Sequence, residues 1–337
     1  MKALQLVGTQ KLKFVDIPIP EISEDEVLIK IKKVGICGTD LHLYNGGMKV
    51  PLPIIMGHEF VGDIAKVGAN VSNIKIGDKV VAEHVIGCGK CRYCQYGKKN
   101  LCVKPTVIGL QIQGGLAEYL AVPANLVYVL PSNLDYDDGV LVEPISIAVY
   151  GIRKANVGVG DSVAIIGQGP IGLFLDQIAK AAGATVFGID IMQPRLDYAL
   201  DHHLTDFVIN SKTENVLASY HKHTGTEGAD IVFEVVGVEP TIDLAFGLVR
   251  PQGKIVVLGV FEHDVSVNMM EIVKHEVTVM GSWTCVNSFG PTINLLESKR
   301  IKINGLITHR YPFDHAQDAF KDSLNYSDKR IKSVIEF

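Results

Sequence analysis

The sequence predicts an α/β protein built from a β-rich domain and a doubly wound parallel sheet, and three observations carry that prediction. At 337 residues the chain exceeds what one hydrophobic core usually supports, so two domains are expected. Up to residue 148, short apolar runs at 26–31, 60–67, 79–82 and 117–122 alternate with Gly, Pro, Asn and Asp, the pattern of short strands between turns. From 149 onward, strand-sized apolar runs alternate with helical stretches, which argues for a parallel sheet covered on both faces.

The elements of the second part follow in order: a strand at 162–167, a helix at 171–182, a strand at 185–190 and a helix from 193. Further strands are expected at 206–210, 230–236, 254–259 and 277–281. After Trp283 come a helix at 291–298 and strands at 306–311 and 331–337. This tail is read as lacking further β-α-β units and as returning to the first domain. The expected division is therefore 1–148 with 286–337, interrupted by 149–285.

Bulk properties exclude several roles. Apolar residues at 47% and charged residues at 20% describe an ordinary water-soluble protein. A net charge of −5 offers no broad positive field, which argues against a nucleic-acid partner. No apolar run reaches transmembrane length, so no membrane partner is expected. The opening MKALQLVG lacks the features of a signal peptide, and the cysteines cluster instead of dispersing in pairs. The expected location is the cytoplasm.

Cys88, Cys91, Cys94 and Cys102 are spaced C-x₂-C-x₂-C-x₇-C, so four of the six cysteines sit in one stretch. The bland alternative is four unrelated thiols. Thiolates at such spacing converge on one tetrahedral Zn²⁺, and a site closed by sulfur at every position is structural, a lobe over 84–104.

Gly167-Gln168-Gly169-Pro170-Ile171-Gly172 matches G-x-G-x-x-G directly after the apolar strand SVAIIG and opens an apolar helix. Gly167 permits the tight turn, Gly169 lets a pyrophosphate approach the backbone, and Gly172 lets helix and strand pack closely. The free N–H groups of the helix start then face the phosphates. Asp190 ends the next strand, eighteen residues after Gly172, where a carboxylate accepts from ribose hydroxyls and repels a 2′-phosphate. NAD is expected over NADP. Arg195 stands ready to stack on adenine or meet a phosphate, and the alternative for Asp190 is an N-cap of the following helix.

Cys37 in GICGTDLH, His58-Glu59 in GHE and Glu143 in VEP each have bland explanations alone. Together they are Zn²⁺ donors, and a catalytic zinc needs three protein ligands and one exchangeable position.

CGTDLH, GHE, the cysteine lobe, VEP and G-x-G-x-x-G occur in the order found in zinc-dependent medium-chain dehydrogenases, which the chain resembles over essentially its whole length. Many alcohol dehydrogenases carry cysteine where Glu143 stands, whereas sorbitol and threonine dehydrogenases carry glutamate before proline. LVEPISIAVYG, GSW and LITHRYPFDHAQDAF resemble the sorbitol (polyol) branch. The resemblance implies a Rossmann domain, a co-chaperonin-like β-rich catalytic domain, two zinc ions per chain, NAD, and a homotetramer or homodimer. It implies Cys37 and His58 as fixed ligands, with Glu59 and Glu143 sharing the remaining role: one binds zinc, the other holds the zinc-bound water. Asp40 would orient a ligand. The metal would acidify a secondary alcohol, Thr39 would take its proton and His42 would relay it to solvent. Turn chemistry is the alternative for Thr39 and His42. Hydride would pass to the nicotinamide, giving a ketone or ketose from a sorbitol- or xylitol-like polyol, reversibly.

Two departures unsettle the exact polyol. Trp283-Thr284-Cys285, with Asn287 nearby, replaces an Arg-Tyr pair of the polyol enzymes, and Leu43-Tyr44 shifts a tyrosine by one position. Threonine 3-dehydrogenase, 2,3-butanediol dehydrogenase and sugar-alcohol-phosphate dehydrogenase remain open. So does a non-catalytic dinucleotide-binding, crystallin-like protein, which the retained ligand set disfavours.

Overall fold

The computed structural model describes residues 1–225, 228–324 and 329–337. The chain divides into two compact units, Met1–Pro144 with Val286–Phe337, and Ile145–Cys285.

The first unit opens with β1 (Lys2–Gly8), β2 (Lys11–Asp16), β3 (Glu26–Ile36), α1 (Gly38–Asn45), β4 (Ile54–Ile55) and β5 (Glu59–Val67). It continues through β6 (Lys79–Ala82), β7 (Val85–Ile86), α2 (Arg92–Gln95), β8 (Thr106–Val107), β9 (Tyr119–Pro123) and β10 (Val127–Val129) to α3 (Tyr136–Ala155), within which the unit boundary falls. The second unit alternates β11 (Ser162–Ile166), α4 (Pro170–Ala181), β12 (Thr185–Asp190), α5 (Gln193–Asp201), β13 (Phe207–Asn210) and α6 (Val216–Thr224). It ends with β14 (Ala229–Glu234), α7 (Glu239–Leu248), β15 (Val249–Val257), α8 (Met269–His275) and β16 (Thr278–Gly281). The tail adds α9 (Phe289–Glu297), β17 (Ile307–Pro312), α10 (Ala316–Ser323) and β18 (Lys332–Glu336).

In the second unit every strand pairing is parallel, in the order β13-β12-β11-β14-β15-β16. This is the doubly wound Rossmann arrangement, in which ligands bind beyond the strand ends where the order reverses, here between β11 and β14. Its core packs Ile166, Phe187, Ile189, Tyr220 and Val232 between sheet and helices.

The main sheet of the first unit runs β10-β6-β5-β3-β18-β17. β9 pairs with β3 at Glu26–Lys30, and β18 takes the same edge further on, at Lys33–Ile36. Along β6, β5, β3 and β18 each strand is antiparallel to the next. The end of β6, the start of β5, the end of β3 and the start of β18 therefore meet at one end of the sheet. That end carries the candidate site.

Two expectations are corrected. The tail does contain a β-α-β unit, because β17 and β18 pair in parallel with α10 between them. Ala316, Ala319, Phe320 and Ser323 are buried at helical spacing, and with only Phe320 large and apolar among them the signal in the sequence was weak. The β-rich reading of residues up to 148 also runs into α3. Val140, Leu141, Val142 and Ile145 are all fully buried, so no single face stands out, and Gly139 and Pro144 resemble breakers.

Candidate metal centre and dinucleotide turn

Cys37 follows β3 as the N-cap of α1. His58 precedes Glu59, the first residue of β5, and Gly57 ahead of them adopts φ +93° with Val34 and Leu116 packed against the place a Cβ would take. Only glycine fits that approach. Donor atoms of Cys37, His58 and Glu59 all lie within 4.8 Å of one another. Asp40, buried in α1, accepts the Cys37 N–H at 2.9 Å through one carboxylate oxygen, and its other oxygen stands 3.6 Å from His58 Nδ1. Thr39 and His42 lie on the same short helix, both half-buried.

Glu143, on α3, falls outside that three-residue group; its Oε1 lies 3.4 Å from Nδ1 of His84. The His84 ring in turn packs against the His58 ring, with centroids 5.3 Å apart. Lys332, the first residue of β18, is buried and ion-paired with Glu59.

Electrostatics follow from this crowding. Burial foremost, then the Glu59 carboxylate, pushes Glu143 up to about 8. Burial alone would lower His58, but Asp40 and then Cys37 hold it well above its ordinary 6.5. Burial likewise works to lower Lys332, and Glu59 outweighs it to raise the ammonium above 10.5. His84 is driven well down by burial and by the charges of His58 and Lys99. One thiol and three carboxyls (Asp40, Glu59 and Glu143) thus surround a single buried ammonium. Such a donor excess fits a divalent cation, and mixed S, N and O donors suit zinc.

The second sulfur-rich group also converges. Sγ atoms of Cys88, Cys91, Cys94 and Cys102 lie within 4.8 Å of one another, and all four cysteines are free of disulfides. Backbone N–H groups of Cys88 and Lys104 donate to Cys102 Sγ at 3.2 and 3.4 Å. N–H groups of Cys94 and Val103 hold the Cys91 thiol down to about 6, while loss of water around Cys94 pushes that thiol up to about 12. Donated N–H groups favour thiolates, the form that binds metal.

In the second unit Gly167 turns at φ +105°, Gly169 caps α4 and Pro170 fills its first turn. A Cβ on Gly172 would overlap the Gly167 carbonyl oxygen. Asp190 binds the turn itself: Oδ2 accepts the Gln168 N–H at 2.6 Å and Oδ1 the Met192 N–H at 2.8 Å. Arg195 stands 3.8 Å from Asp190. The α5 N-cap is Met192, so Asp190 does not cap that helix with its side chain. Across the switch point Glu234 Oε1 accepts the N–H groups of Val236 and Gly237 at 2.8 and 2.7 Å.

Comparison with known proteins fits these features. Residues 23–132 match the family described as alcohol dehydrogenase GroES-like domain, and residues 170–298 the family described as zinc-binding dehydrogenase. The chain is 37% identical to the zinc-type alcohol dehydrogenase-like protein YdjJ of Escherichia coli, over 99% of this chain and 97% of that one. This chain belongs to the zinc-containing medium-chain alcohol dehydrogenase superfamily. As such it is an oxidoreductase acting on alcohols or polyols, with zinc as its metal. Other superfamily relatives include the sorbitol dehydrogenase of Bacillus subtilis (32% identical, 99% and 97% covered) and the D-arabitol-phosphate dehydrogenase of Enterococcus avium (33%, 98% and 96%). Among solved structures, an Escherichia coli dehydrogenase of unknown specificity superposes with TM-score 0.95 at 35% identity, covering 99% and 98% of the two chains. A zinc-binding dehydrogenase of Sinorhizobium meliloti bound to NADP (TM-score 0.93, 30% identity, 100% and 99% covered) is also similar. So is an Escherichia coli alcohol dehydrogenase complexed with NADH (TM-score 0.94, 29% identity, 100% and 99% covered).

Sequence reasoning missed Lys332, His84, Glu83 and Glu234. Each is an ionisable residue inside an apolar strand-like run (RIKSVIEF, VVAEHVIG, IVFEVVG), a signal of a buried, partnered charge.

Proposed function

We propose that this dehydrogenase oxidises a secondary hydroxyl of a sorbitol- or xylitol-like polyol to the ketone with NAD, reversibly. The observation that carries the reading is the convergence of Cys37, His58 and Glu59, a sulfur, a nitrogen and a carboxylate donor, at one end of a sheet. When bound there, zinc would supply Lewis acidity toward the substrate hydroxyl, and NAD would supply the hydride acceptor.

The chain's own residues do the rest. Asp40 orients His58 through Nδ1, leaving the other ring nitrogen to the metal. Lys332 steadies the Glu59 carboxylate. Glu143, against His84, is the nearby carboxyl able to hold the water of the open position. Thr39 takes the alcohol proton and His42 passes it to solvent. The four-cysteine lobe holds the second zinc. The Gly167–Gly172 turn cradles the pyrophosphate, and Asp190, pinned by two backbone N–H groups, faces the ribose hydroxyls with Arg195 beside it. An oligomer of two or four chains is part of the proposal; β16 is a sheet edge with Val279 exposed on it, supporting self-association.

A substrate panel tests the reading: sorbitol, xylitol, their phosphates, galactitol phosphate, 2,3-butanediol and L-threonine, each with NAD and NADP. The expected result is highest kcat/KM for a free polyol with NAD and loss of turnover on zinc removal. Turnover confined to phosphorylated alcohols or threonine would displace the polyol reading. Full turnover after zinc removal would overturn the metal's role.

A further inference from the structure

The four-cysteine lobe lacks a core of its own. Across residues 88–104 only Asn100 and Cys102 are buried. Its shape therefore rests on the convergence of the sulfurs. The lobe is nevertheless tied to the sheet at one charged point. Lys99, three residues before Cys102, is ion-paired with the buried carboxylate of Glu83. The other Glu83 oxygen accepts the Tyr128 hydroxyl at 3.0 Å. Glu83 adjoins His84, which contacts Glu143 at 3.4 Å and packs on the His58 ring.

The surrounding backbone makes this a stiff connection. The Glu83 N–H donates to Leu126 O at 3.0 Å, and the Ile108 N–H donates to His84 O at 2.9 Å. Immediately beyond, β7 and β8 close the base of the lobe as a two-stranded ribbon. A Cβ on Gly87 would fall 2.7 Å from Cys94 Sγ and 3.0 Å from Lys99 Cβ, so the lobe presses directly on that ribbon.

We infer that the four-cysteine lobe is more than a staple: it positions the catalytic metal nest by delivering Lys99 to Glu83, which fixes His84 against Glu143 and His58. Lys99 and Glu83 are positioning residues. If the lobe loosens, Lys99 withdraws and leaves a carboxylate buried without its counter-charge. Such a carboxylate takes up a proton or turns to solvent, and the adjoining His84 moves with it. The inference rests on the reading of both sites as zinc sites.

The test measures zinc per chain, the rate at which a chelator removes each zinc, and the visible spectrum with cobalt at the catalytic site, in the full-length protein. Lys99→Met is expected to keep the lobe zinc, release the catalytic zinc about tenfold faster and shift the cobalt bands, as loss of an outer partner typically does. Lys99→Arg should restore both, whereas the double variant Glu83→Gln/Lys99→Met, which keeps no charged link and leaves no unpaired charge, should release the catalytic zinc faster than wild type. Lys98→Met, an exposed neighbour, should behave as wild type. Wild-type release and cobalt spectrum in Lys99→Met would overturn the inference. Should Lys99→Met fold poorly, the double variant decides: wild-type release and cobalt spectrum there would show that the pair is not the link. A wild-type protein holding fewer than two zinc ions would instead overturn the underlying zinc reading.

Discussion

Replacing Lys332 by methionine removes a positive charge from a place where water cannot substitute for it. Lys332 is 3% exposed and Glu59 1%. Removing one partner of a buried ion pair costs about 3–5 kcal/mol, because the other charge is left uncompensated. That full cost applies when the protein is stripped of zinc. With zinc loaded, the metal neutralises Glu59, and a near-isosteric change of the stem leaves about 1 kcal/mol. At about 2–4 °C per kcal/mol for a unit the size of Met1–Pro144 with Val286–Phe337, its melting should fall by roughly 6–20 °C in the stripped variant and about 2–4 °C in the loaded one. By linkage, zinc binding should tighten in the variant although the protein is less stable. Thermal melts of stripped and zinc-loaded protein, wild type against variant, measure this directly. Equal losses in the two states would show that Glu59 does not face the metal.

Three further outcomes are expected. Gly172→Ala should weaken NADH binding by more than tenfold in a fluorescence titration, because its Cβ overlaps the Gly167 carbonyl; unchanged affinity would remove the turn from the cofactor site. Asp190→Ala should raise the NADP-to-NAD ratio of kcat/KM by roughly tenfold, the worth of a hydrogen bond to a charged acceptor; an unchanged ratio refutes the ribose assignment. Asp137 pairs with Arg310 at 2.6 Å and with Lys33 at 2.7 Å, and Arg310 foremost, then Lys33, holds its carboxyl below the ordinary 3.8 against the opposing effect of burial. A depressed carboxylate stabilises the fold above its unfolded value, and that contribution is lost as pH falls through the lower folded one. Asp137→Asn should therefore cost about 1 kcal/mol at neutral pH, discounted for the part-exposed partners. In urea titrations the gap between variant and wild type should narrow as the carboxyl protonates at pH values below its ordinary range, and a gap independent of pH would refute the pairing.

The alternating architecture of the second unit was legible because its strands are near-continuous apolar runs and its glycine turn is locally encoded. β12 begins and ends at the residues its sequence suggests, Thr185 and Asp190. The metal donors were legible as types but not as a set. The choice between Glu59 and Glu143 depends on which strand end meets which, and strand pairing is a long-range fact. Lys332 lies 273 positions from Glu59 in the sequence and became its neighbour only through β18 joining β3. Helix α3 was hidden by burial on all sides, and α1 by a Gly-Thr-Asp start that reads as a turn.

Gly35 lies on β3, between Val334 of β18 and Glu59 of β5. A methyl group there would collide with the Glu59 carboxylate and crowd the Lys332 stem. Any redesign that swaps this residue for a stronger strand former, a sensible choice on propensity alone, would wedge apart an acid and a base three strands wide. Metal retention in this enzyme thus depends on a hydrogen atom at a position with no donor of its own, and alanine at 35 should harm it as surely as loss of a ligand.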